Sequence, residues 1–79
     1  MKVIMMTQLE LAGRERTVVL FAKPQRAWDE LVEVANYIGV RTEEIEGTLE
    51  QLAEGGSESI CRADNGEALL TLEWKEVHE

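Results

Sequence analysis

A helical pattern at residues 24–39 constrains the fold of this chain more than any other feature. Pro24 suits the first turn of a helix, and Gly39 stands where helices commonly end. The apolar residues between them recur at the spacing of one helix face, and they are Trp28, Leu31, Val32, Ala35 and Ile38. In a chain of 79 residues this helix leaves the two ends to supply the other layer of a single domain, residues 1–79.

Both ends of the chain carry strand patterns. Residues 3–11 (VIMMTQLEL) and 16–22 (RTVVLFA) predict two strands joined by a turn at residues 12–15 (AGRE). Residues 57–62 (SESICR) and 67–74 (EALLTLEW) predict a second hairpin, with the Asn65-Gly66 turn signal in residues 63–66 (ADNG). Leu70, Leu72 and Trp74 then share one face, and the tail at residues 75–79 is expected to fray.

The first hairpin is apolar on both of its faces for part of its length. Ile4 and Met6 face opposite to Val3 and Met5, although a half-buried strand alternates apolar with polar residues. Residues 18–21 repeat this two-sided pattern. Both faces therefore need a cover, either within the chain or from a second subunit. With only two helices available, the pattern favours a homodimer.

A second helix is predicted over residues 42–54. Thr42 is a good N-cap, and Glu43 and Glu44 stand next to the positive end of the helix dipole. Its inward residues are Ile45, Leu49 and Leu52, and residues 55–56 (GG) end it. The predicted fold is α+β with the order β-β-α-α-β-β. Two hairpins form a small antiparallel sheet that packs against the helix pair.

This helix pair, residues 32–52, resembles the helix-turn-helix of phage repressors and Cro-type proteins. The resemblance rests on six positions, namely Ala35, Ile38, Gly39, Val40, Ile45 and Leu49. It implies two helices that cross at a glycine turn and a second helix that reads DNA in the major groove. The order of elements also resembles a winged helix, with residues 63–66 at the tip of the wing.

The charge of the chain argues against DNA as the ligand. The net charge is −8, from 16 acidic and 8 basic residues, so phosphates would be repelled. On the predicted second helix, Glu46, Glu50 and Glu54 step along one face by about 6 Å each. Such a stripe would fit a groove lined with Arg and Lys. The predicted partner-binding residues are Glu43, Glu46, Glu50, Glu54, Asp29 and Glu33.

Three functions remain open. The first is a small acidic, non-enzymatic inhibitor or regulator that mimics nucleic acid and binds a basic, nucleic-acid-binding protein. Phage anti-restriction and anti-CRISPR proteins are similar in size and charge. The second is a dimeric helix-turn-helix transcriptional regulator, which would use Arg14, Arg16, Arg41 and Arg62. The third is a structural or assembly subunit joined through the two-sided strands, with the charge serving only solubility.

No catalytic, cofactor or metal site is predicted. His78 is the only histidine and stands next to the C-terminal residue, and Cys61 is the only cysteine. The pattern around Cys61 predicts a small buried residue rather than a nucleophile. Trp28 and Trp74 are predicted to pack in the core. A single cysteine, with no signal peptide and no membrane-spanning segment, predicts a cytoplasmic protein.

Overall fold

The structure is a four-stranded antiparallel sheet with two helices. A computed structural model describes residues 1–10, 15–54 and 60–77. A 3₁₀ turn at Thr42–Glu44 lies between the helices. The elements in chain order are β1 (Lys2–Glu10), β2 (Glu15–Phe21), α1 (Pro24–Tyr37), α2 (Leu49–Ala53), β3 (Cys61–Asp64) and β4 (Ala68–Glu76). The predicted α+β class and the order β-β-α-α-β-β are confirmed.

The sheet has the strand order β2-β1-β4-β3, so the first and last strands of the chain are its central pair. β1 and β4 pair along their whole length, from Lys2 opposite Glu76 to Glu10 opposite Ala68. This long ladder holds the end of the chain in place, and the prediction that Lys75 and Glu76 fray is therefore wrong. His78, most of the turn predicted at residues 12–15, and residues 57–59 of the predicted third strand lie outside the described residues.

α1 covers one face of the sheet, which we name the helix face. Ala27, Leu31 and Ala35 are fully buried there, and Trp28, Val32 and Ile38 pack against the same core. The strands contribute Ile4, Met6, Leu70 and Leu72 to this core. The helix begins at Pro24 and is followed by Gly39, whose φ is +87°, so both predicted ends are confirmed. The Val40 N–H then donates to the Ala35 carbonyl at 2.8 Å and turns the chain back.

The prediction of one helix over residues 42–54 is wrong. The chain forms a 3₁₀ turn at Thr42–Glu44 and then runs extended, and α2 begins only at Leu49. The break has a long-range cause, because the Glu46 N–H donates to the Arg62 carbonyl at 2.8 Å and the Arg62 N–H donates back at 2.9 Å. Gly47 follows with a φ of +91°, which a helix does not tolerate.

α2 has its own start signal. The Thr48 hydroxyl accepts from the Gln51 backbone N–H, and the Gln51 side chain accepts from the Thr48 N–H, both at 3.1 Å. This reciprocal pair is a capping box, which makes Thr48 rather than Thr42 the N-cap of the helix. The Trp74 indole N–H donates to the Leu52 carbonyl at 2.8 Å and ties α2 to β4. Ile45 and Leu52 are buried as predicted, in spite of the break.

Candidate functional site

The six predicted partner-binding carboxylates divide into two groups. Asp29 and Glu33 lie on α1 and, with Phe21 at the end of β2, border an open groove of about 280 Å³. Glu46 lies at the opposite side of the sheet, where it bridges to Arg62 of β3. β2 and β3 are the two outer strands, so roughly 14 Å of sheet separates Phe21 from the Glu46–Arg62 bridge. Asp29 and Glu33 border this groove rather than the Glu46–Arg62 bridge, and their part in partner binding stays a prediction.

The other four predicted carboxylates lie, together with Glu44, in one stretch of chain that we name the acidic segment, residues 43–54. Its carboxylates are all exposed, and they are Glu43, Glu44, Glu46, Glu50 and Glu54. Only Glu50 and Glu54 keep the predicted one-turn step along a helix. Glu46 lies on the extended stretch before α2 instead. The predicted even stripe of three carboxylates on one helix is wrong, and the group spans a helix and the strand-like segment beside it.

Two of the basic residues assigned to the DNA-binding alternative, Arg41 and Arg62, form ion pairs with carboxylates of the same chain. The Arg41 Nε donates to Glu44 at 2.9 Å, and Arg41 Nη1 lies 3.8 Å from Glu43. Arg62 Nη2 lies 3.5 Å from Asp64 on the same strand. All of these pairs are largely exposed, so each is worth little to stability. Arg14, a third basic residue assigned to that alternative, lies outside the described residues.

Three carboxylates of the acidic segment take no part in the ion pairs of the described residues. Within residues 1–10, 15–54 and 60–77, no basic group forms an ion pair with Glu46, Glu50 or Glu54. Their backbone is nonetheless fixed, by the bridge to β3 at Glu46 and by the capped helix at Glu50 and Glu54. The acidic segment thus presents three carboxylates that form no ion pair with a described basic group, although Arg62, which pairs with Asp64, is the residue directly opposite Glu46.

A second exposed feature is the face of the sheet turned away from the helices, which we name the open face. Residues directly opposite in paired strands share a face. The register therefore places Val18 and Leu20 of β2 beside Thr7 and Met5 of β1 on this face. Leu9 of β1 lies there too, opposite Leu69 of β4, and both are half-buried. The two-sided apolar pattern in the first hairpin thus reflects one face covered by α1 and one face that no described element covers.

The two outer edges of the sheet differ. β3 is short, and its outer side is occupied by the Glu46 bridge described above. β2 pairs only with β1 among the described residues, and its central side chains are exposed at 45% for Val18, 39% for Val19 and 57% for Leu20. An apolar open edge of this kind offers backbone hydrogen-bonding groups and apolar surface together.

Metal ligands and the single cysteine were the remaining candidates for a chemical site. No group of three or more His, Cys, Asp or Glu side chains within them is placed to hold a metal ion. Cys61 is buried and free, and its thiol lies 3.7 Å from the Thr48 carbonyl. Burial raises the pKa of the Cys61 thiol, which keeps it protonated and weakens it as a nucleophile. Its prediction as a small buried core residue is confirmed.

Comparison with known proteins adds no relative. No protein-family model, no curated protein sequence and no solved structure matches the chain. In the part of the chain that the structure describes, neither helix has the length and apolar character needed to cross a bilayer. Functional inference therefore rests on the geometry of the acidic segment and of the open edge.

Sequence reasoning missed two features of these surfaces. It placed Glu46 on a helix, although the Thr48-x-x-Gln51 spacing is a capping-box signal that puts the N-cap at Thr48 and the first helical residue at Leu49. It also did not identify β2 as an outer strand. The two-sided apolar run of residues 18–21 was the available signal, but strand order in a sheet depends on long-range pairing that the run itself does not encode.

Proposed function

We propose that this protein is a non-enzymatic inhibitor or regulator whose acidic segment binds a basic, nucleic-acid-binding surface of another protein. One observation carries the proposal. Glu46, Glu50 and Glu54 are exposed, close in the chain and held on ordered backbone, and no basic group of the described residues forms an ion pair with them. Uncompensated carboxylates attract Lys- and Arg-rich surfaces and steer their approach.

The broken helix refines the mimicry argument. A nucleic acid presents phosphates along a continuous backbone, whereas this segment presents carboxylates from a short helix and from an adjoining extended stretch. The partner surface should therefore be a compact basic pocket or groove rather than a long channel.

The proposal places the protein in the cytoplasm, and the lone free Cys61 supports a reducing compartment.

The test is capture of basic proteins at two salt concentrations. A tagged protein should retain a basic partner from cell lysate at about 0.05 M salt and release it at about 0.5 M, because screening weakens exposed charge pairs. The purified partner should then bind DNA or RNA, and added protein should displace that nucleic acid. Failure to compete with nucleic acid would contradict mimicry.

Two matched variants locate the binding surface. Glu46→Gln, Glu50→Gln and Glu54→Gln together change the net charge from −8 to −5, since three negative charges are removed. The control changes Glu10, Glu67 and Glu73 to Gln and reaches the same −5 from carboxylates outside the acidic segment. The first variant should lose the partner and the control should keep it. Equal weakening in both would show that overall charge, and not this segment, drives binding.

Direct DNA binding, as a dimeric helix-turn-helix regulator, is the alternative that the sequence resemblance raises. It would depend on basic side chains, and Arg41 and Arg62 already lie beside carboxylates. An electrophoretic shift of DNA fragments at low salt and micromolar protein would support this alternative over the proposed inhibitor. An assembly role is the remaining alternative, and the open edge of β2 is the observation that favours it.

A further inference from the structure

The outer edge of β2 combines three properties that rarely occur together on a monomer. Its backbone has no partner strand among the described residues, its central side chains are apolar, and these side chains point to both faces of the sheet. Val18 and Leu20 lie on the open face, and Val19 lies on the helix face beside Met6. An added strand would cover both faces at once.

β2 also lacks the features that normally keep an open edge from pairing. Proteins protect such edges with Lys, Pro, bulges or very short strands. β2 has seven residues, contains neither Lys nor Pro, and carries its two charged residues, Glu15 and Arg16, only at its start. The other outer strand, β3, has four residues and is covered by Glu46. The protein protects one edge and leaves the other ready to pair.

We propose that β2 pairs antiparallel with β2 of a second copy, about a two-fold axis at Val19, so that the two sheets become one of eight strands. In this register Val19 lies opposite the partner's Val19, and Val18 lies opposite the partner's Leu20. Thr17 lies opposite the partner's Phe21. The inference is independent of the function proposed for the acidic segment, because it uses the opposite side of the sheet.

Charge complementarity selects this register. Lys23 lies two residues beyond β2, where the chain bends before α1, with φ −118° and ψ 133°, and it is exposed. Pairing about Val19 places Glu15 opposite the partner's Lys23, and symmetry makes this ion pair twice. Pairing about Val18 would instead place Glu15 opposite the partner's Phe21 and Arg16 opposite the partner's Leu20. Of these two registers, only the one about Val19 brings Glu15 towards a residue of opposite charge, although it leaves Arg16 opposite the partner's Ala22.

The size of the contact sets its strength. A seven-residue edge is smaller than the roughly 800 Å² per partner of a standard stable interface, so the dimer should form in the micromolar range and depend on concentration. Backbone hydrogen bonds supply most of its affinity and the paired side chains supply its register, as in other cases of strand addition.

A charge exchange tests both the dimer and its register. Glu15→Lys should raise the dimer dissociation constant by about tenfold, because it replaces two attractions with two repulsions. Lys23→Glu should do the same. The double variant Glu15→Lys/Lys23→Glu should restore wild-type dimerisation, measured by sedimentation velocity over a concentration series. A double variant as weak as the single ones would overturn the register.

Unfolding does not confound this experiment. Glu15 lies opposite Glu10 within the chain, so Glu15→Lys removes a like-charge pair and should not destabilise the monomer. Circular dichroism of each variant checks this point. A wild-type protein that stays monomeric at all concentrations would overturn the proposal outright.

Two single-cysteine variants test the register directly. Opposite residues in antiparallel strands have Cα atoms about 4.5–5.5 Å apart, within the range for a disulfide. Val19→Cys should therefore cross-link two copies under mild oxidation, and Val18→Cys should not, because its two Cα atoms would be about 8 Å apart. The native Cys61 is buried and should stay unreacted. Cross-linking through Val18→Cys instead would contradict the Val19 axis.

One further variant distinguishes a dimer paired through the β2 edge from a dimer that stacks its two open faces. Leu69 lies on the open face of β4, two strands from β2 and about 10 Å away across the sheet. Leu69→Lys should leave an edge-paired dimer intact. If Leu69→Lys dissociates the dimer and the charge exchange has no effect, the copies associate through their open faces and the edge proposal is wrong.

Discussion

Gly47 is the residue on which the shape of the acidic segment most depends. Its φ of +91° lies in the region that residues with a side chain rarely adopt. A Cβ at this position would lie 3.0 Å from both the Cys61 sulfur and the Ile60 carbonyl oxygen. The residue therefore meets two requirements, a left-handed turn and a close approach to β3. Both are needed for Glu46 to bridge to that strand.

Replacing Gly47 with Ala should destabilise the protein more than the same change at Gly39. Gly39 has nearly the same φ, +87°, but a Cβ there would meet nothing within 4 Å. Gly39→Ala should thus cost about 1–2 kcal/mol of unfolding free energy from backbone strain alone. Gly47→Ala should cost roughly 1–2 kcal/mol more, because Cys61 and the backbone must also move. Urea unfolding of both variants measures the difference, and equal costs would show that the close approach is unimportant.

The two helices show where sequence reasoning succeeds and where it stops. α1 followed from local signals, since Pro24 and Gly39 bound a regular apolar stripe that lies on the sheet as expected. The second helix did not, because residues 42–44 and residues 48–51 both read as helix starts. The pairing of Glu46 with Arg62 keeps the chain extended after residue 44, so that the helix starts at the second of these two signals. Hydrophobic periodicity describes neighbouring residues and does not predict a contact between residues so far apart in the chain.

The same limit applies to the candidate site. The exposure of Glu43, Glu46, Glu50 and Glu54 followed from their place outside the apolar pattern, and the structure has all of them exposed. Their mutual arrangement did not follow, because a stripe on one helix requires that the helix be continuous. Composition can therefore predict that a surface is acidic, while its shape depends on tertiary pairing.

The helix start can be tested with two threonine variants. Thr48→Ala should lower the unfolding free energy by about 1 kcal/mol, because it removes the side-chain half of the capping box. Thr42→Ala is the matched control, since no side-chain cap forms at the 3₁₀ turn, and it should change stability by less than about 0.5 kcal/mol. Thermal unfolding at one protein concentration compares them. A larger effect at Thr42 would favour the continuous helix that the sequence first suggests.

At the scale of the whole molecule, the sheet has one packed face and one open face. The buried residues cluster between the sheet and the helices, and the open face carries apolar side chains without any described cover. This asymmetry was only partly predictable. The two-sided strand pattern predicted a cover for both faces, but not which face the helices would take.

Adjacent leucines of β4 should report this asymmetry. Leu70 points into the core and is completely buried, so Leu70→Ala should cost about 2–5 kcal/mol. Leu69 points to the open face and is half-buried, so Leu69→Ala should cost less than half as much. Denaturant unfolding at equal protein concentration makes the comparison, which matters because self-association adds to apparent stability. Similar losses at the two positions would mean that the open face is covered in solution.

The bridge between Glu46 and Arg62 has a consequence for polymerisation. A sheet with two open edges can add copies without end, in the manner of a fibril. Here the Glu46 backbone occupies the outer side of β3, so growth from that side is blocked. Pairing through β2 about a two-fold axis uses the other side of each copy and closes the assembly. If copies pair through β2 as proposed, the short segment that interrupts the predicted second helix would also limit the assembly to two copies.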